Sequence, residues 1–414
     1  MRIALITAHS PSQASQFGQP TTLARALAAR GHRVTLYARQ QSVPSARTTI
    51  LGRGVSVEHV TAGPARPLPA EQAAQHMPEF AAYLTDHWRA RPPDVVHAFS
   101  WLGGLAAVSA VRGTDTPVLL TFESLAAAER RHAADSEASS ARLRLESCLA
   151  HAVSAVLASS CDEAADLASR GVPKSAIRVV PCGVDTAVFN PVGATAERGS
   201  RFRLVAFASA GQPRGLPAVV RALTQLPDTE LVIVGGPAAR QVPRAGAWRE
   251  LARLAAAAGV RSRIILAGEL PESELAALLR SADLMVGGSR YEPAGVAALQ
   301  AMACGLPVVV PAVGALTDAV VDGVTGLLVA PDNPAMLVHR IRALQARPVQ
   351  REALGIAAVD RARSRYDLSR IARETVAAYE WCVRGRHTAL GAVATDDLGV
   401  DEDAADELEL AVSG

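Results

Sequence analysis

The sequence is poor in aromatic residues and carries almost no net charge. Phe, Trp and Tyr make up 4% of its 414 residues, and 42 Lys and Arg stand against 40 Asp and Glu. Binding to nucleic acid or to an anionic lipid surface requires a basic field, whereas the basic residues here are dispersed along the chain. We therefore exclude both classes of partner.

The sequence also has no paired cysteines and no long apolar run. Its five cysteines lie far apart and form no C-x-x-C pair, which argues against a disulfide framework or a zinc site. No apolar stretch is long enough to span a bilayer, and the chain opens on the strand-like run 2–7 with no signal-peptide pattern. We expect a cytoplasmic protein without an integral membrane segment.

The chain does contain a regular alternation of short apolar runs and amphipathic stretches. Apolar residues account for 49% of it and charged residues for 20%, a balance typical of packed α/β folds. Because 414 residues exceed what one hydrophobic core fills, the alternation predicts two doubly wound Rossmann-like domains facing a cleft. Strands are predicted at residues 3–7, 33–38, 94–98, 117–122, 155–158 and 177–180, and again at 203–208, 230–234, 264–267, 283–286, 307–310 and 326–329.

Turn-forming residues at 181–193 precede a small polar segment, so we place a linker there. The predicted domains are residues 1–194 and 195–385, the second including closing helices. The last of these helices is expected to pack back against the first domain. Residues 386–414 are small and acidic, and we expect them to form a disordered tail.

One glycine-rich stretch carries the clearest chemical signal. Where parallel α/β domains face each other, strand carboxyl ends and helix N-termini line one cleft, and their amides favour a phosphate. The chain has neither a G-x-G-x-x-G nor a P-loop fingerprint. Residues 281–310 instead indicate strand, loop, helix, turn and strand. Glu292 lies in the loop, Pro293 suits the first helical turn, and Gly295 lets a ligand approach the backbone.

Glu292-Pro-Ala-Gly295, followed by Gln300, resembles the donor-binding signature of the large family of retaining glycosyltransferases with the GT-B fold. Asp322-Gly-Val-Thr-Gly-Leu-Leu328 is similar to the segment that follows this signature. The resemblance extends to about residue 385 and includes Asp94-Val-Val-His97. Segments 68–80 and 130–132 most resemble the actinobacterial branch of glycosyltransferase family 4 that is related to inositol-phosphate N-acetylglucosaminyltransferases.

This resemblance implies that a sugar moves from a nucleotide-diphosphate donor to a small acceptor with retention of configuration. It implies that the first domain holds the acceptor and the second the donor. Glu292 is expected to touch the donor sugar, Gln300 the ribose hydroxyls and Arg214 the diphosphate. The donor-binding residues that the resemblance implies are Gly18, Arg214, Gly268, Leu270, Glu292, Pro293, Gly295 and Gln300.

His97 and Glu123 join Glu292 as catalytic candidates, and Arg130 and Arg131 are candidate ligands of an acceptor phosphate. Neither a cofactor nor a metal is expected, because cations and backbone amides neutralise the leaving diphosphate in such folds. Other interpretations stay open. His97 ends a buried strand and is a candidate for satisfying a buried polar group, and the two arginines are also typical of a solvated helix face.

Six positions depart from the family pattern, namely Phe17, Phe99, Glu123, Ser209, Arg214 and Gln300. Ser209 removes a positive charge and Glu123 adds a negative one where a diphosphate should be stabilised. Two further functions therefore stay open: a catalytically degenerate binding or partner protein, and a nucleotide-sugar hydrolase or epimerase with Glu123 as the catalytic carboxylate. The donor base, the sugar, the acceptor and the oligomeric state are not predicted.

Overall fold

Two α/β units make up the part of the chain that the structure describes. The structure is a computed structural model, and it describes residues 1–8, 19–42, 46–132, 139–208, 211–237 and 246–385. Unit 1 extends to Val180 and resumes at Ile371. Residues Pro181 to Arg370, between these two parts, belong to unit 2. Each unit has its own sheet and its own hydrophobic core.

Unit 1 is built on an eight-stranded sheet with strand order β3-β4-β2-β1-β5-β6-β7-β8. Its strands are β1 (Arg2–Thr7), β2 (Arg33–Arg39), β3 (Thr48–Gly52), β4 (Val55–Val60), β5 (Val95–Phe99), β6 (Val118–Thr121), β7 (Ala155–Ala158) and β8 (Ile177–Val179). All pairs are parallel except β3 with β4, which form an antiparallel hairpin at the sheet edge. The strand order reverses between β1 and β5, and ligands of open α/β sheets bind beyond strand carboxyl ends at such a point.

The helices of unit 1 cover this sheet on both faces. They are α1 (Gln19–Ala29), α2 (Ala70–Ala74), α3 (Met77–Trp88), α4 (Ser100–Ala110), α5 (Ala126–His132), α6 (Ser140–Ala152) and α7 (Cys161–Ser169), joined by most of α15 (Leu368–Gly385). Several side chains of α15, including Ala372, Val376 and Tyr379, are buried in the same core as Leu5 and Leu36. The last helix therefore packs in unit 1, as we expected.

Unit 2 has a six-stranded, wholly parallel sheet with strand order β11-β10-β9-β12-β13-β14. Its strands are β9 (Phe202–Phe207), β10 (Thr229–Val234), β11 (Ile264–Gly268), β12 (Leu284–Val286), β13 (Val308–Pro311) and β14 (Leu327–Val329). Alternate side chains of a strand point to opposite faces, so Leu204 packs in one core cluster and Val205 in another. Both faces are thus buried, as a parallel sheet requires.

Seven helices flank this second sheet within the described residues of unit 2. They are α8 (Leu216–Leu223), α9 (Ala247–Ala257), α10 (Glu272–Arg280), α11 (Val296–Ala303), α12 (Ala315–Ala319), α13 (Pro334–Gln345) and α14 (Pro348–Tyr366). The strand order reverses between β9 and β12, which creates the second switch point. The predicted fold class, two doubly wound α/β domains, is confirmed.

The boundary between the units differs from the predicted division at residues 194 and 195. Cys182, Val184 and Phe189 are buried in a core cluster of unit 2, and the Val184 amide donates to the Tyr366 carbonyl at 2.8 Å. The turn-rich segment 181–193, predicted to close the first domain, is therefore part of unit 2. The β3–β4 hairpin was not predicted either, and the acidic tail 386–414 lies outside the described residues.

Candidate active site

A pocket opens at the switch point of unit 2, beyond the carboxyl ends of its central strands. It encloses about 500 Å³ of empty space, including space open to solvent. Phe207 ends β9, Val286 ends β12 and Pro311 ends β13, and all three line the pocket. Arg214 and Glu292 supply its charged groups. The fold thus brings a cation and a carboxyl group together over strands that are far apart in sequence.

Two glycines hold the loops of this pocket in contact. Gly215 has a left-handed backbone (φ 76°) and begins α8 as its N-cap, while Gly288 follows β12. A Cβ on Gly215 would lie 2.3 Å from the Ser289 amide nitrogen, and a Cβ on Gly288 would lie 2.4 Å from the Gly215 carbonyl oxygen. Only residues without a side chain permit this approach, so the loop after β9 and the loop after β12 are held backbone against backbone.

Glu292 is fixed by contacts to its own loop and to the next one. Its Oε1 accepts a hydrogen bond from the Gly295 amide at 3.2 Å, and its carbonyl accepts one from the Ala315 amide at 2.9 Å. A Cβ on Gly314 would lie 2.3 Å from the same carbonyl oxygen. Burial raises the pKa of the Glu292 carboxyl, although backbone hydrogen bonds from Gly295 and Ala294 oppose the shift. The carboxyl group is therefore held in a low-dielectric position on the pocket wall.

The helix after this loop begins later than predicted. Gly295 is the N-cap of α11 with φ 67°, and the first helical residue is Val296. Pro293 consequently lies in the loop and not in the first helical turn, because the left-handed glycine ends the loop only at residue 295. The free amides at the α11 N-terminus follow Gly295, which lines the pocket.

The remaining donor-binding candidates lie at different places. Arg214 is exposed and lines the pocket. Gly268 ends β11 with φ 70° and its carbonyl accepts from the Gly235 amide at 2.8 Å, while Leu270 follows in the next loop. Gln300 is half-buried on α11 and is not one of the described residues that line the pocket. Gly18, with Phe17 and Ser209, lies outside the described residues.

His97 lies inside unit 1 with both ring nitrogens engaged. It is 2% exposed, its Nδ1 is 2.8 Å from Tyr379 Oη, and its Nε2 is 3.0 Å from Thr121 Oγ1. Phe99 packs on the ring at 4.3 Å between centroids. Burial lowers the pKa of His97 to about 3, so the ring is neutral at physiological pH. These contacts support the interpretation that His97 satisfies buried neighbours, and a catalytic role stays a prediction.

Glu123 lies two residues beyond β6 with an uncommon backbone conformation. Its φ is 62°, in the left-handed region that side chains other than glycine seldom adopt. Burial raises the pKa of its carboxyl to about 8. Ser100, directly after β5, has the same φ of 62°, and no sequence pattern singles it out. Non-glycine residues with positive φ have no sequence signature, so only the structure finds this pair.

The arginines expected to hold an acceptor phosphate are engaged by other groups. Arg131 pairs with Asp166, and Arg130 donates to Ser140 Oγ at 3.3 Å. Arg142, to which the same two interpretations apply, pairs with Glu146 at 2.7 Å and with Glu129 at 3.2 Å. Because carboxylates neutralise Arg131 and Arg142, the structure gives no support to a phosphate bound by these two side chains.

Within the described ranges, no three His, Cys, Asp or Glu side chains form a potential metal site. Nor does any helix in those ranges combine the length and the apolar character needed to cross a membrane. Independence of metal stays a prediction.

Comparison with known proteins agrees with the geometry over both units. Residues 21–188 match the family described as Glycosyltransferase Family 4, and residues 199–361 match the family described as Glycosyl transferases group 1. A D-inositol 3-phosphate glycosyltransferase of Acidothermus cellulolyticus is 33% identical over 363 residues, which cover 81% of this chain and 80% of that protein. The protein of the same name from Kribbella flavida is 32% identical over 410 residues, 91% of this chain and 95% of its own.

Solved structures show the same architecture. Sucrose-phosphate synthase from Thermosynechococcus elongatus superposes with a TM-score of 0.85 at 26% identity, covering 93% of this chain and 99% of that one. Anabaena Alr3699/HepE in complex with UDP-glucose superposes with a TM-score of 0.72 at 19% identity, covering 92% of this chain and 100% of that one. At this identity the similarity concerns the fold alone. The chain therefore belongs to family 4 of the GT-B glycosyltransferases, enzymes that transfer a sugar from a nucleotide-sugar donor.

Proposed function

We propose that the chain transfers a hexose from a uridine diphosphate sugar to a small acceptor with retention of configuration. The observation that carries the proposal is the pocket of unit 2, where Arg214, the Glu292 carboxyl and loop amides converge beyond the strand carboxyl ends. The choice of uridine rests on HepE, whose structure was solved with UDP-glucose. The choice of a small acceptor rests on relatives whose names contain D-inositol 3-phosphate.

Each group in the pocket has a role in this reaction. The exposed Arg214 guanidinium and the amides of the glycine-rich loop and of the α11 N-terminus stabilise the diphosphate as charge develops on it. The acceptor oxygen forms the new bond to the anomeric carbon on the face from which the diphosphate departs, and the diphosphate oxygen takes the acceptor proton. Glu292 orients the donor sugar. This mechanism requires no strong protein base, which agrees with a His97 that is neutral and buried.

None of the five cysteines, all of which lie in the described residues, forms a disulfide, and four of them are buried. Buried thiols without a disulfide are typical of proteins in a reducing compartment, so we place the enzyme in the cytoplasm.

The proposal is tested first by thermal unfolding in EDTA with UDP, ADP, GDP and the corresponding nucleotide sugars. A ligand that binds the native state raises the melting temperature, so we expect stabilisation by UDP and by one UDP-sugar. Arg214→Ala is expected to weaken UDP binding about 10- to 100-fold, since a hydrogen bond to a charged group contributes about 1.5–3 kcal/mol. Arg221→Ala, an exposed arginine on α8, is the matched control.

Turnover with the stabilising donor then separates the alternatives. UDP release that depends on an acceptor supports a transferase. The transferase is retaining if NMR shows that the glycosidic bond of the product has the same anomeric configuration as the donor. Release of UDP without acceptor would instead identify a hydrolase. Binding without any turnover would identify a degenerate protein, and no thermal shift with any nucleotide would refute the donor assignment.

A further inference from the structure

Two strained residues lie side by side at the switch point of unit 1. Phe99 pairs with Thr121, so Ser100 is one residue and Glu123 two residues past the last paired positions of β5 and β6. Both have φ 62°. A left-handed backbone at such residues is strained and is typical of functional sites. Their position, beyond the carboxyl ends of strands next to the order reversal, is where an open α/β sheet binds its ligand.

Buried polar atoms without partners lie along the same sheet end. Ser100 is 8% exposed, and its Oγ has no hydrogen-bond partner among the described residues. Glu163, in the first turn of α7 after β7, accepts the Ser159 amide with Oε2 at 2.8 Å, while its Oε1 likewise has no partner in the described part of the chain. Each such atom destabilises the fold unless a partner satisfies it. A ligand with several hydroxyl groups supplies the missing partners.

The charges at this sheet end do not favour an anion. Arg142 is held by Glu146 at 2.7 Å and by Glu129 at 3.2 Å, and it also donates to the Ser124 carbonyl at 3.2 Å. A phosphate ester placed here would gain little from the Arg142 guanidinium, because Glu146 and Glu129 already neutralise it. Such a site rejects a phosphate ester and accepts an uncharged group.

We propose that the carboxyl ends of β5, β6 and β7 bind an uncharged, hydroxyl-rich acceptor, with Ser100 Oγ and the Glu123 carboxyl contacting its hydroxyl groups. This inference rests on the proposed transferase function and adds the chemical class of the acceptor. It sets the chain apart from relatives named for D-inositol 3-phosphate. Burial raises the pKa of Glu123 to about 8 and that of Glu163 to about 7, so at neutral pH Glu123 donates a hydrogen bond to the acceptor.

The direct test compares polyols with their own monophosphates at a fixed concentration of the donor that stabilises the enzyme. Suitable pairs are myo-inositol with D-inositol 3-phosphate, and glucose with glucose 6-phosphate. We expect kcat/KM for the preferred polyol to exceed that of its phosphate by about 10-fold or more, equivalent to about 1.4 kcal/mol. Equal rates, a preference for the phosphate, or no turnover with any polyol would overturn the acceptor assignment. UDP-dependent stabilisation without acceptor reports separately on the proposed function.

Two variants locate the subsite. Ser100→Gly removes Oγ and accommodates φ 62° without strain, so we expect an acceptor KM raised about 10-fold, an unchanged donor KM and a melting temperature that does not fall. Asp332→Gly is the matched control, because Asp332 also has φ 62° but is exposed in unit 2. An unchanged acceptor KM in Ser100→Gly would refute the contact.

Glu129→Gln tests the charge argument in the opposite direction. This change removes one of the two carboxylates that neutralise Arg142 and leaves an amide of the same shape. We expect the rate with the phosphorylated member of each pair to rise relative to the free polyol by about 3- to 10-fold. A ratio that does not move would show that the Arg142 pairing does not determine acceptor charge and would overturn that part of the proposal.

Discussion

Gly215 and Gly288 meet backbone to backbone, so closely that a Cβ on Gly288 would lie 2.4 Å from the Gly215 carbonyl oxygen. The two residues belong to loops that follow β9 and β12, the strands on either side of the switch point in unit 2. Their contact brings Arg214 and the glycine-rich loop to the same pocket. The donor site thus depends on the absence of two side chains as much as on the groups that bind.

Gly288→Ala is expected to separate these loops. Overpacking of this kind costs about 1–3 kcal/mol, and because the pocket wall moves, we expect UDP to lose most of its stabilising effect. Thermal unfolding with and without UDP measures both effects. Gly199→Ala is the matched control, since a Cβ there meets nothing within 4 Å. If Gly288→Ala binds UDP like the wild type, the loop contact does not shape the donor site.

Glu292→Gln is expected to separate structure from catalysis. The amide oxygen of glutamine still accepts the Gly295 amide, which now donates to Oε1 at 3.2 Å, so the melting temperature should not fall at neutral pH. Loss of the carboxylate removes a charged contact to the donor sugar and should lower kcat about 10- to 100-fold. Initial rates and UDP affinity measure these effects. Full activity in Glu292→Gln would contradict the assigned role of the carboxylate.

Glu123→Gln is expected to change the pH dependence of stability. The folded-state pKa of Glu123 is about 8, above its ordinary value of 4.5. Between these values the unfolded chain ionises and the folded chain does not, so the wild type loses stability as the pH rises from 4.5 to 8. Glutamine does not ionise. The stability of the variant relative to the wild type should therefore increase over this range, by up to a few kcal/mol, and level off above it.

Urea unfolding at pH 5, about 6.5 and 8 checks this difference. Glu79→Gln is a control of opposite sign, because a hydrogen bond from the Gly63 amide lowers the pKa of Glu79. In that variant stability relative to the wild type should fall only as the pH rises toward 4.5, and should stay constant from pH 5 to 8. A pH-independent difference for Glu123→Gln would show that the carboxyl group is ionised at neutral pH in the folded protein.

Tyr379→Phe is expected to destabilise unit 1 through His97. The tyrosine hydroxyl is 2.8 Å from His97 Nδ1, and both side chains are buried, so its removal leaves a polar nitrogen without its partner. We expect the free energy of unfolding to fall by about 1–3 kcal/mol. Glu380→Gln, at an exposed position of the same helix, should change it by less than about 0.5 kcal/mol. An unchanged stability for Tyr379→Phe would argue that the hydrogen bond is not formed.

The local sequence predicted the strands and turns better than it predicted the elements against which they pack. The runs around residues 155–158 and 264–268 became strands because their apolar pattern and flanking turns leave few alternatives. The turns at 181–193 were equally clear, but nothing in them indicates the core on which Val184 and Phe189 pack. The β3–β4 hairpin, with its exposed edge strand, lacks the strong apolar run of a central strand.

In the candidate site, too, residues of one contiguous segment were predicted, whereas features that depend on tertiary packing were not. Glu292 and Gly295 were identified because one contiguous segment supplies both, together with the turn between them. Ser100 was missed because its φ of 62° and its isolated Oγ arise from tertiary packing. The charge of Arg142 and its i,i+4 spacing from Glu146 are apparent in the sequence, but its second partner, Glu129 on another helix, is not.

The return of α15 to unit 1 also sets the order in which the chain can be completed during translation. Unit 2 is continuous, so all of its residues have been synthesised once Arg370 has been added. Unit 1 at that point still lacks Ala372 and Tyr379, and with Tyr379 the partner of the His97 ring. Although unit 1 is begun first by the ribosome, it is the second to have a complete core. A nascent chain that ends at Arg370 would therefore contain all of unit 2 but lack the α15 residues that complete the core of unit 1.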